Sequence, residues 1–97
     1  MLFTKEKCPV CSYGNVGFRK CSDQKTLVLM CDDCDAVWLN PEEIKLENAI
    51  FPEAPDFNLP GSSISIANPK ASWASIEDVK RAKLEKFIAG EGKAMDE

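Results

Sequence analysis

Two short cysteine turns limit what this chain can fold into more than any other feature. Cys8-Pro9-Val10-Cys11 and Cys31-Asp32-Asp33-Cys34 are Cys-x-x-Cys pairs with 19 residues between them. That gap lies inside the spacing of about 15 to 20 residues expected of two knuckles that share one metal ion. Two intervening residues let the chain curl until both sulfurs of a pair face one point, and amides in the turn can donate to the thiolates and spread their charge. The fifth cysteine, Cys21, leaves one thiol over in any all-disulfide scheme. It reads as a strand cysteine, although Arg19 and Lys20 beside it would favour a reactive thiolate. The expected ligands are therefore Cys8, Cys11, Cys31 and Cys34, around one structural Zn2+. Iron in a rubredoxin-like redox site uses the same four sulfurs, and ligand type does not separate the two metals.

Four protein thiolates leave no coordination position for water or substrate, which argues against a zinc hydrolase. The chain contains no histidine, so Ser-His hydrolysis is excluded and the usual base for a cysteine nucleophile is missing. The expectation is a protein that is not an enzyme.

At 97 residues the chain is the size of one domain, and at this length a hydrophobic core stabilises a fold only modestly, so a metal staple is useful. Three regions are expected within it. Residues 1–48 hold every cysteine and read as a zinc ribbon, with short strands over 16–20, 26–30 and 36–39. Asn40-Pro41-Glu42-Glu43 then reads as the start of a short helix, with Asn40 as N-cap and Pro41 at the first helical position. Residues 49–72 contain Pro52, Pro55, Pro60 and Pro69 and read as an irregular connector. Phe51, Phe57 and Leu59 should pack it onto the ribbon, and the alternation in 62–67 fits an edge strand. Residues 73–97 read as a C-terminal amphipathic helix and a loose tail. Ser75 and Asp78 resemble a capping box, Ile76, Val79, Leu84, Phe87 and Ile88 form one apolar stripe, and Gly90 is the natural stop. The fold class expected is small α+β: a three-stranded antiparallel zinc ribbon with four cysteine ligands on two knuckles, the connector, and that helix.

The stretch Cys31-Asp32-Asp33-Cys34-Asp35-Ala36-Val37-Trp38-Leu39-Asn40-Pro41-Glu42-Glu43-Ile44 resembles the second half of the transcription-factor-B-type zinc-ribbon family of small microbial proteins. Cys8-Pro9-Val10-Cys11 matches that family's opening knuckle, and the resemblance spans about residues 7–46. It implies that the four cysteines bind zinc, that Trp38 packs on the ribbon, and that Asn40 caps a helix carrying Glu43 and Ile44. The glycine usual after each knuckle in that family is replaced by Ser12 and Asp35. Aspartate tolerates the left-handed backbone better than most residues, and serine is less suited to it.

The formal charge is −4, and four thiolates on a dication would carry the total to about −6, which disfavours polyanionic partners. Asp32, Asp33, Asp35, Glu42 and Glu43 form a concentrated acidic set on the second half of the ribbon, with Trp73 as a candidate aromatic anchor. The leading functional expectation is a module that engages a basic protein partner, one version being an inhibitor or immunity-type protein that masks a cationic toxin or nuclease. The alternative is a nucleic-acid-binding or transcription-associated ribbon, for which Lys5, Lys7, Arg19, Lys20 and Lys25, or Lys80, Arg81, Lys83 and Lys86, would have to supply phosphate contacts. No segment approaches the roughly 18 apolar residues of a membrane span. The opening MLFTKEKCPVC lacks the apolar stretch of a secretory leader, so a cytoplasmic location is expected.

Overall fold

Alternating apolar side chains divide the central strands between two buried faces. The computed structural model describes residues 1–92, in which β1 (Leu2–Lys7), β2 (Asn15–Lys20), β3 (Leu27–Cys31) and β4 (Val37–Trp38) follow one another. Val16 and Phe18, Leu29 and Cys31, and Trp38 point to one face, where they join Leu2, Ala74 and Val79. Val28, Met30 and Val37 point to the other and meet Cys21, Leu59 and Ile66. Because β3 is buried on both sides it reads as a continuous apolar run, LVLMC.

Two further strands, β5 (Ser72–Trp73) and β6 (Gly90–Glu91), complete an antiparallel sheet in the order β4-β3-β2-β1-β6, with β5 on β2. Phe3 of β1 pairs with Gly17, so β1 begins before it can cover the end of β2; β5 takes over there, pairing with Arg19 and Lys20. The β2–β3 turn is closed by Asp23, whose carboxylate accepts from the Lys25 and Thr26 amides and the Thr26 hydroxyl. These donations hold the Asp23 carboxyl below its usual range.

Several elements differ from the sequence-based expectation. The sheet is larger than the expected three strands, because β1, β5 and β6 join it. Asn40 caps a turn instead of a helix: its side-chain oxygen accepts from the Glu42 amide at 2.9 Å and its carbonyl from the Glu43 amide at 3.0 Å. The chain has to reverse here, since Ile50 pairs with Val37 through two 2.8 Å hydrogen bonds. A short 3-10 turn at Leu46–Asn48 completes the return. Residues 62–67 form no regular strand; Ser65 makes an isolated bridge to Asn58. Leu59 and Ile66 from this proline-rich stretch pack into the second buried face.

The helix α1 (Ile76–Arg81) is six residues long, and the expected stripe does not continue along it to Gly90. Lys83 adopts φ 62°, and the Lys83 and Leu84 amides return to the carbonyls of Lys80 and Val79 at 2.9 and 3.0 Å. This pair of bonds is a Schellman ending, with lysine where glycine is usual. The chain beyond makes a 3-10 turn at Glu85–Phe87 and returns as β6, so Gly90 sits in a strand against Phe3. Of the expected loose tail, residue 91 lies in β6 and residues 93–97 lie outside the described residues.

The expected capping box is present. The Ser75 amide donates to Asp78 Oδ2 at 3.0 Å and the Asp78 amide to Ser75 Oγ at 3.2 Å, while Lys20 Nζ lies 3.3 Å from Asp78 Oδ2. Amide donation from Ser75, assisted by Lys20, holds the Asp78 carboxyl below its usual range against the opposing effect of burial. Replacing Asp78 by alanine is expected to cost about 1–2 kcal/mol in a urea titration, as losing a good cap does. The sign of its pH dependence follows from the depressed folded-state pKa. The contribution is complete above the ordinary carboxylate pKa and disappears as pH falls through the lower folded value.

Candidate metal centre

Each knuckle closes a connection between two strands. Cys8 directly follows β1 and Cys31 ends β3. The register that places Val16 opposite Cys31, and the 3.1 Å bond from the Asp32 amide to the Asn15 carbonyl, bring both knuckles to the same end of the sheet.

The two turns are built alike. In the first, the Val10 and Cys11 amides donate to Cys8 Sγ at 3.3 and 3.5 Å. In the second, the Asp33 and Cys34 amides donate to Cys31 Sγ at 3.4 and 3.5 Å. Ser12 and Asp35, each following the second cysteine of its pair, adopt φ 67° and 63°. The left-handed turn therefore forms even at the serine. The Ser12 amide bonds back to the Cys8 carbonyl at 3.0 Å, and the Cys31 amide to the Ala36 carbonyl at 2.9 Å.

All four sulfurs lie within 4.8 Å of one another. Cys8 and Cys34 Sγ are 3.6 Å apart and Cys11 and Cys31 Sγ 3.7 Å apart, so the closest approaches cross between the knuckles. These separations are far too long for disulfides, whose sulfurs are about 2.05 Å apart. They fit the edges of a tetrahedron whose bonds to sulfur are about 2.3 Å, which gives sulfur separations of about 3.8 Å. The four cysteines together could thus hold one metal ion.

Electrostatics agree with that use. Burial pushes the Cys31 and Cys34 thiols up, while amide donation from Gly14 and Tyr13 draws the Cys11 thiol down. A dication at the centre would offset the burial that opposes the Cys31 and Cys34 thiolates.

Gly14 is a site residue that the sequence reading passed over. Its amide donates to Cys11 Sγ at 3.4 Å. A Cβ on it would overlap Cys31 Sγ and lie 2.9 Å from Asp32 Oδ1. The only signal in the sequence was a glycine just beyond a knuckle. Gly14→Ala is expected to weaken metal affinity roughly 10–100-fold, as supporting residues around a metal site typically do; competition with a chromogenic chelator measures it.

The expected acidic face is divided by the fold. Asp33, Asp35, Glu42 and Glu43 are exposed. Asp32 is 4% exposed, and its Oδ1 accepts from the Asn15 amide at 2.9 Å, joining the second knuckle to β2. It belongs to the scaffold, not to an outer surface. Trp73 is half-buried, and the Arg19 guanidinium lies over its ring at 4.9 Å, so that face of the ring is occupied. Arg19 is itself buried, donating to the Ile66 carbonyl and to Asn68 Oδ1 at 3.1 Å each. Trp38 is buried in the main core and donates its indole N–H to the Lys45 carbonyl at 2.8 Å. Cys21 is buried on the opposite face, away from the cluster, and burial pushes its thiol up to about 11.

Charge is unevenly shared along the chain. Residues 31–60 carry eight aspartates and glutamates against one lysine, Lys45. Among the described residues, no helix is long and apolar enough to cross a membrane.

No family model matches the chain, and no solved structure matches it. Over 86 residues it is 26% identical to uncharacterized protein L48 of Acanthamoeba polyphaga mimivirus, a span that covers 84% of this chain and 72% of the viral protein.

Proposed function

We propose that this chain is a zinc-stabilised binding module of the transcription-factor-B-type ribbon kind, without catalytic activity, that engages a basic protein partner. The observation that carries the first half is the convergence of four sulfurs within 4.8 Å of one another. An all-thiolate tetrahedron favours zinc as the resident ion and closes its coordination to water and substrate. The ion then serves as a scaffold.

The partner reading is supported by the acidic bias of residues 31–60 and by the exposure of Asp33, Asp35, Glu42 and Glu43. Such a face raises the encounter rate with a cation-rich surface and repels phosphate backbones. The basic residues that a nucleic acid would need are partly consumed within the fold: Arg19 packs inside, and Lys20 engages Asp78. An inhibitor or immunity-type protein that covers a cationic toxin or nuclease is the concrete version of this reading.

The test has two parts. Metal analysis of natively purified protein should return one zinc per chain, whereas a coloured iron protein contradicts the scaffold assignment. The zinc-loaded protein should also be recovered with a basic protein at low salt, and the complex should re-form from purified components and dissociate at high salt. Recovery of a nucleic acid, or of no partner under any condition, contradicts the reading.

A further inference from the structure

The acidic stretch carries more than charge. Leu39 is 59% exposed, Leu46 62% and Phe51 54%, all within one segment that leaves edge strand β4 and returns to it. Apolar side chains that share one exposed surface mark interaction sites, and here Leu39 shares one with Ile50. The antiparallel pairing of Val37 with Ile50 brings Leu39 level with Asn48. Leu39, Glu43, Asn48 and Ile50 line one open depression of about 190 Å³ together with Trp38 and Asn40. Glu42, Glu43, Glu47 and Glu53 are exposed along the same segment, and among the described residues none of them forms an ion pair.

We propose that this surface, apolar at Leu39 and Ile50 and bordered by Glu43, with the exposed Glu42 and Glu47 on the same loop, docks a short amphipathic segment of a protein partner whose leucine-like side chains are flanked by lysine or arginine. The proposal rests on the protein-partner reading and moves the contact from the second knuckle to the loop beyond it. Charge complementarity selects this occupant. A second copy of the chain would set the same carboxylates against themselves, and an anionic membrane or a nucleic acid would be repelled. The apolar side chains fill the contact and slow dissociation, while the carboxylates steer the encounter. The knuckle is five residues from Leu39 along the chain, so the metal holds the docking surface in place.

The test is a titration of isotope-labelled, zinc-loaded full-length protein at low salt with two synthetic peptides. One is an amphipathic helix of leucines and lysines; the other has every leucine replaced by serine at equal charge. The leucine peptide is expected to shift amide resonances across residues 39–51 and to bind at least about tenfold more tightly than its serine counterpart. Leu39→Ser should weaken that binding roughly tenfold without altering the rest of the spectrum, since Leu39 lines the depression and is mostly exposed. Equal binding of both peptides, or shifts centred on Asp33 and Asp35, overturns the docking surface while leaving an acidic module for a basic partner intact. If neither peptide binds, both readings fall. A dimer in sedimentation that Leu39→Ser dissolves would identify a second copy as the occupant and contradict the proposal.

Discussion

Removing the metal, by chelation or by Cys31→Ser, is expected to unfold the chain and not merely to loosen one end. Cys8 and Cys31 are both buried in the larger core, and the two knuckles are the connections between β1 and β2 and between β3 and β4. Without an ion, nothing offsets the burial that opposes the Cys31 and Cys34 thiolates, and nothing at the centre holds the four sulfurs within 4.8 Å of one another. Apparent binding free energies of about 10–16 kcal/mol have been assigned to structural zinc in isolated finger peptides, where they are also the free energy of folding. A domain of this size has a net stability of about 5–15 kcal/mol, so even part of that contribution decides the outcome. Circular dichroism and amide dispersion during chelation measure it: both should collapse and recover on adding zinc. Cys21→Ala provides the control. It removes a buried thiol outside the cluster and should leave the metal content unchanged.

Trp38→Ala is the second large effect, expected to cost about 3–5 kcal/mol in a urea titration. Trp38 is 1% exposed and packs in the core with Phe18 and Leu29. Truncating it opens a cavity and also removes the donor to the Lys45 carbonyl, which ties the 43–48 loop to the sheet. Its chain neighbour sets the scale. Leu39→Ala removes a side chain that is mostly in water, and its effect should stay within about 0.5 kcal/mol. Similar costs at the two positions would mean that the burial described for β4 is wrong.

The cysteine turns were legible from the spacing that a shared metal ion requires; the αL turn after the first knuckle was not, since it forms at Ser12 in place of glycine. The strands through Val16, Leu29 and Val37 were legible from their apolar runs. The helix end was not. Its stop is written in hydrogen bonds to the Lys80 and Val79 carbonyls around a left-handed Lys83, and lysine carries no local signal for that conformation. The turn at Asn40 resembled a helix start because a capping residue serves either element. What decided between them was the distant pairing of Ile50 with Val37. The six-stranded sheet was hidden for a related reason: β5 and β6 are two residues each and exist only because β2 and β1 offer open edges. Asp32 shows the limit of composition. Aspartate is common at surfaces, yet Asp32 is drawn inward, where it accepts from the Asn15 amide; Trp73 packs inward as large aromatics usually do, under the Arg19 guanidinium.

X-ray absorption at the metal edge of natively purified protein measures the coordination shell itself. Four sulfur neighbours at about 2.3 Å and no lighter ligand are the predicted result. An oxygen or nitrogen in that shell, or fewer than four sulfurs, would contradict a closed scaffold site and reopen the question of chemistry at the metal.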